Sequence, residues 1–296
     1  MIKFCGPVFL GDDNKIGGAG ESHGVTVFDP ETLARKHVEK GFKAAYAPKL
    51  NVNETDKIRQ TRKAFEDAGV VIGEVGYWDN LLDTNEETRK ETHQKMLEAF
   101  YMAEELGARC TVNIIGSYIE GKQAFCHKAK NFTDDAFTEA VDMARYFIDT
   151  VKPKTAYFTY EVYQFSNNDS PDGLERFLKA VDRPQFGIHL DLVNLINCPR
   201  AYFNHLDLLK DVIKRVGDRI VCSHVKDVQL QDNSITVVLN EVMPGTGIID
   251  FGAYVKAIND LPQVVPMMME HLNNEEEYNT AAATIRSAAA AAGVII

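Results

Sequence analysis

Residues 186–191 read Phe186-Gly187-Ile188-His189-Leu190-Asp191. The run is short, mostly apolar and bounded by amphipathic stretches at 171–181 and 200–216, which is the pattern of a buried parallel strand between two helices. His189 and Asp191 are two residues apart, so an extended chain puts both on one face. Working outward, the same alternation repeats along the whole chain. Strands are expected at 2–9, 42–47, 70–76, 110–115, 156–161, 186–191, 219–224 and 264–270. Helices are expected at 30–40, 54–68, 85–107, 133–151, 171–181, 200–216, 250–260 and 274–291. Asp29-Pro30-Glu31 and Ser170-Pro171 each place a capping side chain before a first-turn proline. Asp134 and Asp135 suit the start of another helix. Gly69, Gly107 and Gly217 fall where a left-handed cap would end a helix.

Strict β/α alternation implies a parallel sheet with helical crossovers. Eight such units at about 37 residues each match the size of an α/β (β/α)8 TIM barrel, here one domain over residues 1–296. The alternative, a doubly wound open sheet, lacks a G-x-G-x-x-G turn after the first strand. The glycine-rich stretch Gly17–Gly24 has the wrong spacing.

Composition narrows the function. The 296 residues carry 32 Lys+Arg against 43 Asp+Glu, a net charge of −11, which argues against nucleic acid as a partner. No apolar run approaches the ~20 residues of a membrane span, and the opening Met1-Ile-Lys-Phe-Cys-Gly-Pro7 does not read as a secretory signal. Cys5, Cys110, Cys126, Cys198 and Cys222 form no C-x-x-C pair, so free thiols in a reducing cytoplasm are expected.

Barrel chemistry gathers at the C-terminal ends of the strands. The last four expected strands end Phe158-Thr159-Tyr160-Glu161, Ile188-His189-Leu190-Asp191, Val221-Cys222-Ser223-His224 and Met267-Met268-Met269-Glu270. Each terminal residue follows the previous one by about one β/α unit. The last interval is longer, and a hairpin over 228–240 with Asp232-Asn233 at its turn accounts for the extra length. If these ends point inward, so do Thr159, His189, Cys222 and Met268, while Tyr160, Leu190 and Met269 meet the outer helices. Three carboxylates at one mouth repel each other, and a cation removes the conflict. Glu161, Asp191, His224 and Glu270 make an oxygen-rich set suited to one divalent metal, Mn²⁺ first, then Mg²⁺, Co²⁺ or Zn²⁺.

Thr-Tyr-Glu161, Gly-Ile-His-Leu-Asp191-Leu-Val-Asn194, Ser-His224-Val-Lys226-Asp227, Met-Pro-Gly245-Thr-Gly247-Ile-Ile-Asp250-Phe251 and Met-Glu270-His271-Leu together resemble the xylose isomerase-like barrel superfamily. The closest branch is the sugar phosphate isomerase/epimerase group. The resemblance implies a metal held by Glu161, Asp191, His224 and Glu270, with the two glutamates also moving protons. The expected chemistry is a sugar isomerase or epimerase acting on a ketose, keto-sugar or inosose. The metal polarises the carbonyl and stabilises an enediolate, and Glu161 and Glu270 serve as catalytic acid and base.

Expected substrate contacts are Lys226 and Asn194 near the metal ligands, Trp78 after the third strand, Asn113 at the end of the fourth, and His189. A hydrogen-bonded core position is the alternative for His189. His23 and His127 lie in loops that can cover the mouth, whereas His37, His93 and His205 are expected in solvent and His271 has the wrong parity for the pocket. Ketose 3-epimerases carry a histidine three residues past the aspartate and an arginine after the metal histidine. This chain has Asn194 and Lys226-Asp227 instead, and it shows no phosphate-binding glycine loop. A lyase on the same scaffold therefore stays open, either an inosose-type dehydratase or a C-glycoside deglycosidase catalytic subunit. The latter would dock a second subunit on loop 10–29 and segment 117–132; otherwise a homo-oligomer is expected. A noncatalytic sugar-binding barrel is disfavoured by the intact glutamates, and a related DNA endonuclease by the charge and by the absence of its extra histidines.

Overall fold

The structure is a computed structural model and describes residues 1–9, 29–121 and 125–296. The expected loop histidine His23 and the glycine-rich stretch lie outside the described residues. Ten strands are present among those described: β1 (Ile2–Cys5), β2 (Ala44–Tyr46), β3 (Val71–Gly76), β4 (Cys110–Asn113), β5 (Tyr157–Glu161), β6 (Phe186–Asp191), β7 (Ile220–Val225), β8 (Asp227–Leu230), β9 (Leu239–Val242) and β10 (Val265–Met269). Eight form one parallel sheet in the order β1-β10-β7-β6-β5-β4-β3-β2. The Lys43 N–H donates to the Phe4 carbonyl at 3.0 Å, so the two end strands meet and the sheet nearly closes. The expected TIM barrel is thus present, with every expected strand and helix represented.

The helices are α1 (Pro30–Glu39), α2 (Thr55–Asp67), α3 (Glu86–Leu106), α4 (Asp134–Val151), α5 (Pro171–Val181), α6 (Leu192–Leu195), α7 (Pro199–Phe203), α8 (His205–Val216), α9 (Phe251–Asn259) and α10 (Glu275–Ala291). The capping signals act as the chemistry requires: Asp29 accepts from the Thr32 N–H at 3.0 Å and Ser170 from the Gly173 N–H at 3.2 Å. Gly69 and Gly107 adopt φ of 67° and 68°, a left-handed conformation that costs a glycine little. Gly217 departs from expectation. It stays right-handed at φ −57° and opens a 3₁₀ turn, its carbonyl held by the Gln263 side chain at 2.7 Å. The helix expected over 200–216 is divided at Asn204, whose side chain donates to the Arg200 carbonyl at 2.7 Å and ends the first piece.

Strand parity follows the expected division. Cys5, Ala44, Cys110, Cys222 and Met268 pack together as a small apolar cluster. Phe158 and Tyr160 point outward, meeting Phe100 and Phe147 on one side and Phe177 of α5 on the other. The register sets Glu161 opposite His189, and Asp191 opposite His224, which carries the expected residues to one rim. The expected hairpin is β8–β9, paired antiparallel from Asp227↔Val242 to Leu230↔Leu239. All five cysteines are free. Among the described residues, no helix is long and apolar enough to cross a membrane.

Candidate metal centre

Glu161, Asp191, His224 and Glu270 are all buried, and each offers one ligand atom, the atoms lying within 4.8 Å of one another. They end β5 and β6, stand next to last in β7, and directly follow β10. His224 Nδ1 lies 2.8 Å from Glu161 Oε1 and 3.0 Å from Glu270 Oε1. Asp191 Oδ1 is occupied by the Asn194 backbone N–H at 3.0 Å, capping α6. Its other oxygen, Oδ2, and Glu270 Oε1 are buried without a hydrogen-bond partner. Both oxygens nevertheless touch the Lys226 ammonium, at 2.7 and 2.9 Å, in ion pairs that lack hydrogen-bond alignment.

Lys226 therefore stands inside the acidic cluster. Its Nζ also reaches Glu241 Oε1 at 3.0 Å and Asn194 Oδ1 at 3.5 Å. Asn194 in turn donates to the Val162 carbonyl at 3.1 Å and reaches Glu161 Oε1 at 3.5 Å. Electrostatics follow from this crowding. Burial, reinforced by Glu270 and Glu161 and opposed by Lys226, pushes the Asp191 carboxyl up to about 7. Burial alone would deprotonate His224, but Glu270, Glu161 and Glu74 hold its imidazole protonated well above the ordinary range. Asp191, Glu270 and Glu241 likewise outweigh burial and keep Lys226 charged. Burial disfavours the Glu270 carboxylate, yet His224 and Lys226 keep it ionised well below the ordinary range. A buried acidic cluster that is offset by a protonated imidazole and a lysine has the donor set of a cation site. One imidazole and three carboxylates fit a divalent ion of moderate hardness.

The other expected contacts are distributed unevenly. Trp78 is half-buried at the rim, its ring 6.3 Å from that of His224, and it fills the space beside Gly76. A cavity of about 390 Å³ opens beside Trp78, bordered by Tyr46, Pro48, Leu50, Tyr77 and Met102. A smaller one of about 210 Å³ lies against Lys226, Glu241, Glu270 and His271. Asn113 pairs with Tyr160 and shares its outward face, so it does not reach the mouth; it bonds both backbone groups of Asp79, at 3.3 and 3.1 Å, and braces the loop that carries Trp78. His189 is fully buried against Glu74 at 2.6 Å, in the core alternative. His127 is exposed and stacks on Phe165. His37 and His205 are buried rather than solvated; the carbonyls of Leu33 and Tyr202 meet their Nδ1 atoms, while His205 Nε2 has no hydrogen-bond partner. His93 is half-buried, its ring held by the Leu81 carbonyl.

Three residues enter the site that the strand-end rule does not select. Glu74 lies in the interior of β3, 3.3 Å from His224 Nε2. Its signal was an acid in an otherwise apolar strand. Glu241 comes from β9. His271 reaches it because a left-handed residue, φ 58°, ends the strand alternation: His271 Nδ1 lies 2.7 Å from Glu241 Oε2, and the parity argument fails there. Asp227 explains the motif around it. Its two oxygens accept from the backbone N–H groups of Val228, Ile249, Gly245 and Gly247, all at 2.9–3.0 Å, pinning the hairpin to the following loop. A Cβ on Gly247 would come within 2.3 Å of the Asp227 carboxylate, so glycine is required by close approach.

The fold and this rim define a barrel with a cation-competent acidic centre. The chain belongs to the xylose isomerase-like TIM barrel family, whose model matches residues 33–288. No curated protein matches the sequence. Among solved structures, a xylose isomerase domain protein from Planctomyces limnophilus is similar with a TM-score of 0.65 at 18% identity, covering 99% of this chain and 96% of that one. A xylose isomerase-like TIM barrel protein from Mycobacterium smegmatis, in complex with magnesium, gives 0.62 at 16%, covering 87% and 88%. The 3-keto-D-glucoside 4-epimerase of E. coli gives 0.62 at 13%, covering 97% and 100%. At these identities the likeness is one of fold.

Proposed function

We propose that the chain is a divalent-metal-dependent sugar isomerase or epimerase, with Glu161, Asp191, His224 and Glu270 holding one cation, Mn²⁺ by preference, and Glu161 and Glu270 moving protons. The observation that carries the reading is the set of four buried side chains, each offering a ligand atom, with those atoms within 4.8 Å of one another. The E. coli epimerase of the same fold, named for a 3-keto-glucoside, supports a keto-sugar as the substrate class.

When bound, the cation supplies positive charge that polarises a carbonyl and offsets the negative charge developing on its oxygen. The chain's own residues do the rest. Glu161 and Glu270 both contact His224 Nδ1, so their carboxylates converge on the same small region. One takes a proton from the carbon beside the carbonyl, and the other delivers a proton to the opposite face or the neighbouring carbon. The reading gives Lys226 the role of donor to a substrate hydroxyl, supported by its position beside Asn194 and the ligand carboxylates. Trp78 presents an apolar wall that suits a sugar face, and with the buried strand ends it limits water at the reacting atoms.

The test is hydrogen exchange. The Mn²⁺-loaded protein is incubated in D₂O with ketoses, inososes and 3-keto sugars, and the products are read by NMR. The reading predicts carbon-bound deuterium in the sugar or its isomer. A dehydrated or cleaved product would replace it with the lyase reading.

A further inference from the structure

Glu74 borders the cavity beside Trp78 and is buried among the interior residues of the barrel. It is a carboxylate in the middle of a buried strand, and the sulfur of Cys222 lies 3.7 Å from its Oε2. A buried charge is retained at a cost unless partners satisfy it. Its partners are two imidazoles. His189 Nε2 lies 2.6 Å from Glu74 Oε2 in a hydrogen bond, and His224 Nε2 lies 3.3 Å from the same oxygen as an ion pair without hydrogen-bond alignment. The two rings meet edge to face with centroids 4.3 Å apart.

We propose that Glu74, braced by His189, is the positioning residue that fixes the tautomer and ring rotation of His224 and so sets the affinity of the cation site; the inference rests on the metal-centre reading above. A histidine presents a lone pair from one nitrogen only if its proton sits on the other. Here Nδ1 faces Glu161 and Glu270, while Nε2 faces Glu74. A carboxylate behind Nε2 holds the proton there and leaves Nδ1 free to ligate, and it makes the ring a stronger donor. His189 fixes the carboxylate in turn. Strand β6 therefore supplies both a ligand, Asp191, and the brace two residues earlier on the same face. The far side of His224 is held as well, since the Tyr254 hydroxyl donates to its carbonyl at 3.0 Å.

The experiment has two readouts besides turnover. Mn²⁺ affinity is measured by electron paramagnetic resonance for the wild type, Glu74→Gln and Asp191→Ala. Separately, histidine ¹⁵N shifts and couplings are recorded on the Zn²⁺-loaded wild type. The expected results are one Mn²⁺ per wild-type chain, binding weakened by about 10–100-fold in Glu74→Gln, and a His224 ligated through Nδ1 with a proton on Nε2. Unchanged affinity in a folded Glu74→Gln would overturn the proposal. So would ligation through Nε2 in the wild type, which needs no variant to fold. Two Mn²⁺ per chain, the second lost in Glu74→Gln, would make Glu74 a ligand and also overturn it. A wild type that binds no Mn²⁺, or an Asp191→Ala that binds as well as wild type, would instead overturn the metal-centre reading itself.

Discussion

Replacing Asp227 by Asn tests how the hairpin is fastened beside the site. The carboxylate accepts four backbone N–H groups, two per oxygen. An amide keeps one acceptor oxygen and turns an NH₂ donor toward the other pair. Two charge-assisted hydrogen bonds are lost, each contributing about 1.5–3 kcal/mol. Gly245 is exposed and Gly247 half-buried, so their freed N–H groups can turn to water and recover part of that sum. The net local destabilisation is therefore about 3 kcal/mol, near the lower end. At 1.4 kcal/mol per decade this is about a hundredfold faster opening of the 243–250 loop. Native-state hydrogen exchange read by mass spectrometry measures it. The Gly245, Gly247 and Ile249 amides should accelerate by about two decades, while β6 amides change by less than about threefold because that strand shares none of these bonds. Unchanged exchange at Gly245 and Gly247 would refute the reasoning, as would equal acceleration everywhere.

Four further outcomes are expected. In Gly76→Ala the new methyl would sit 2.7 Å from Trp78 Nε1, so the emission of this single tryptophan should shift; an unchanged spectrum would contradict the placement of the ring. Cation binding near neutral pH should release about one to two protons and tighten as pH rises through about 7, because without a cation burial keeps Asp191 protonated, and Glu270, Glu161 and Glu74 outweigh burial to keep His224 charged. Calorimetry in buffers of different ionisation enthalpy reads this, and buffer-independent heats would contradict it. The Glu241–His271 clasp should be firmest, in the metal-free protein, between about pH 4.5 and 6.5. Burial lowers the His271 pKa but Glu270 and Glu241 raise it above 6.5, so its contribution is complete below that value and fades as pH climbs through the raised one. Burial raises the Glu241 pKa but His271 and Lys226 bring it below 4.5, so its contribution is lost only as pH falls further. Exchange at 239–242, corrected for intrinsic rates, should be slowest in that window, and His271→Gln should flatten the profile. Finally, Glu161→Gln and Glu270→Gln should lower kcat far more than they raise KM, since the lost groups act mainly in the transition state; an effect on KM alone would assign them to binding.

The strand ends were legible because a parallel barrel makes them so: buried runs show their residues, and one rim collects the polar termini. Glu161, Asp191, His224 and Glu270 follow from that rule, and the β5–β6–β7–β10 register then draws them together. Residues outside its scope were not legible. Glu74 acts from a strand interior, Glu241 from a hairpin whose register no strand-end argument supplies, and His271 from a left-handed residue that breaks period-two counting. Asn113 misled because polarity at a strand end does not decide parity, which the pairing with Tyr160 does. Burial of His37 and His205 is not legible because a backbone carbonyl that meets one ring nitrogen leaves no mark in the sequence.

The central claim is that four residues from consecutive barrel strands hold one cation. Metal content after loading with Mn²⁺ and desalting tests it most directly, on the wild type, Asp191→Ala and His224→Ala. The account predicts about one ion per wild-type chain and none retained in either variant, with the circular dichroism of all three alike. Equal metal content in the three folded proteins would contradict it.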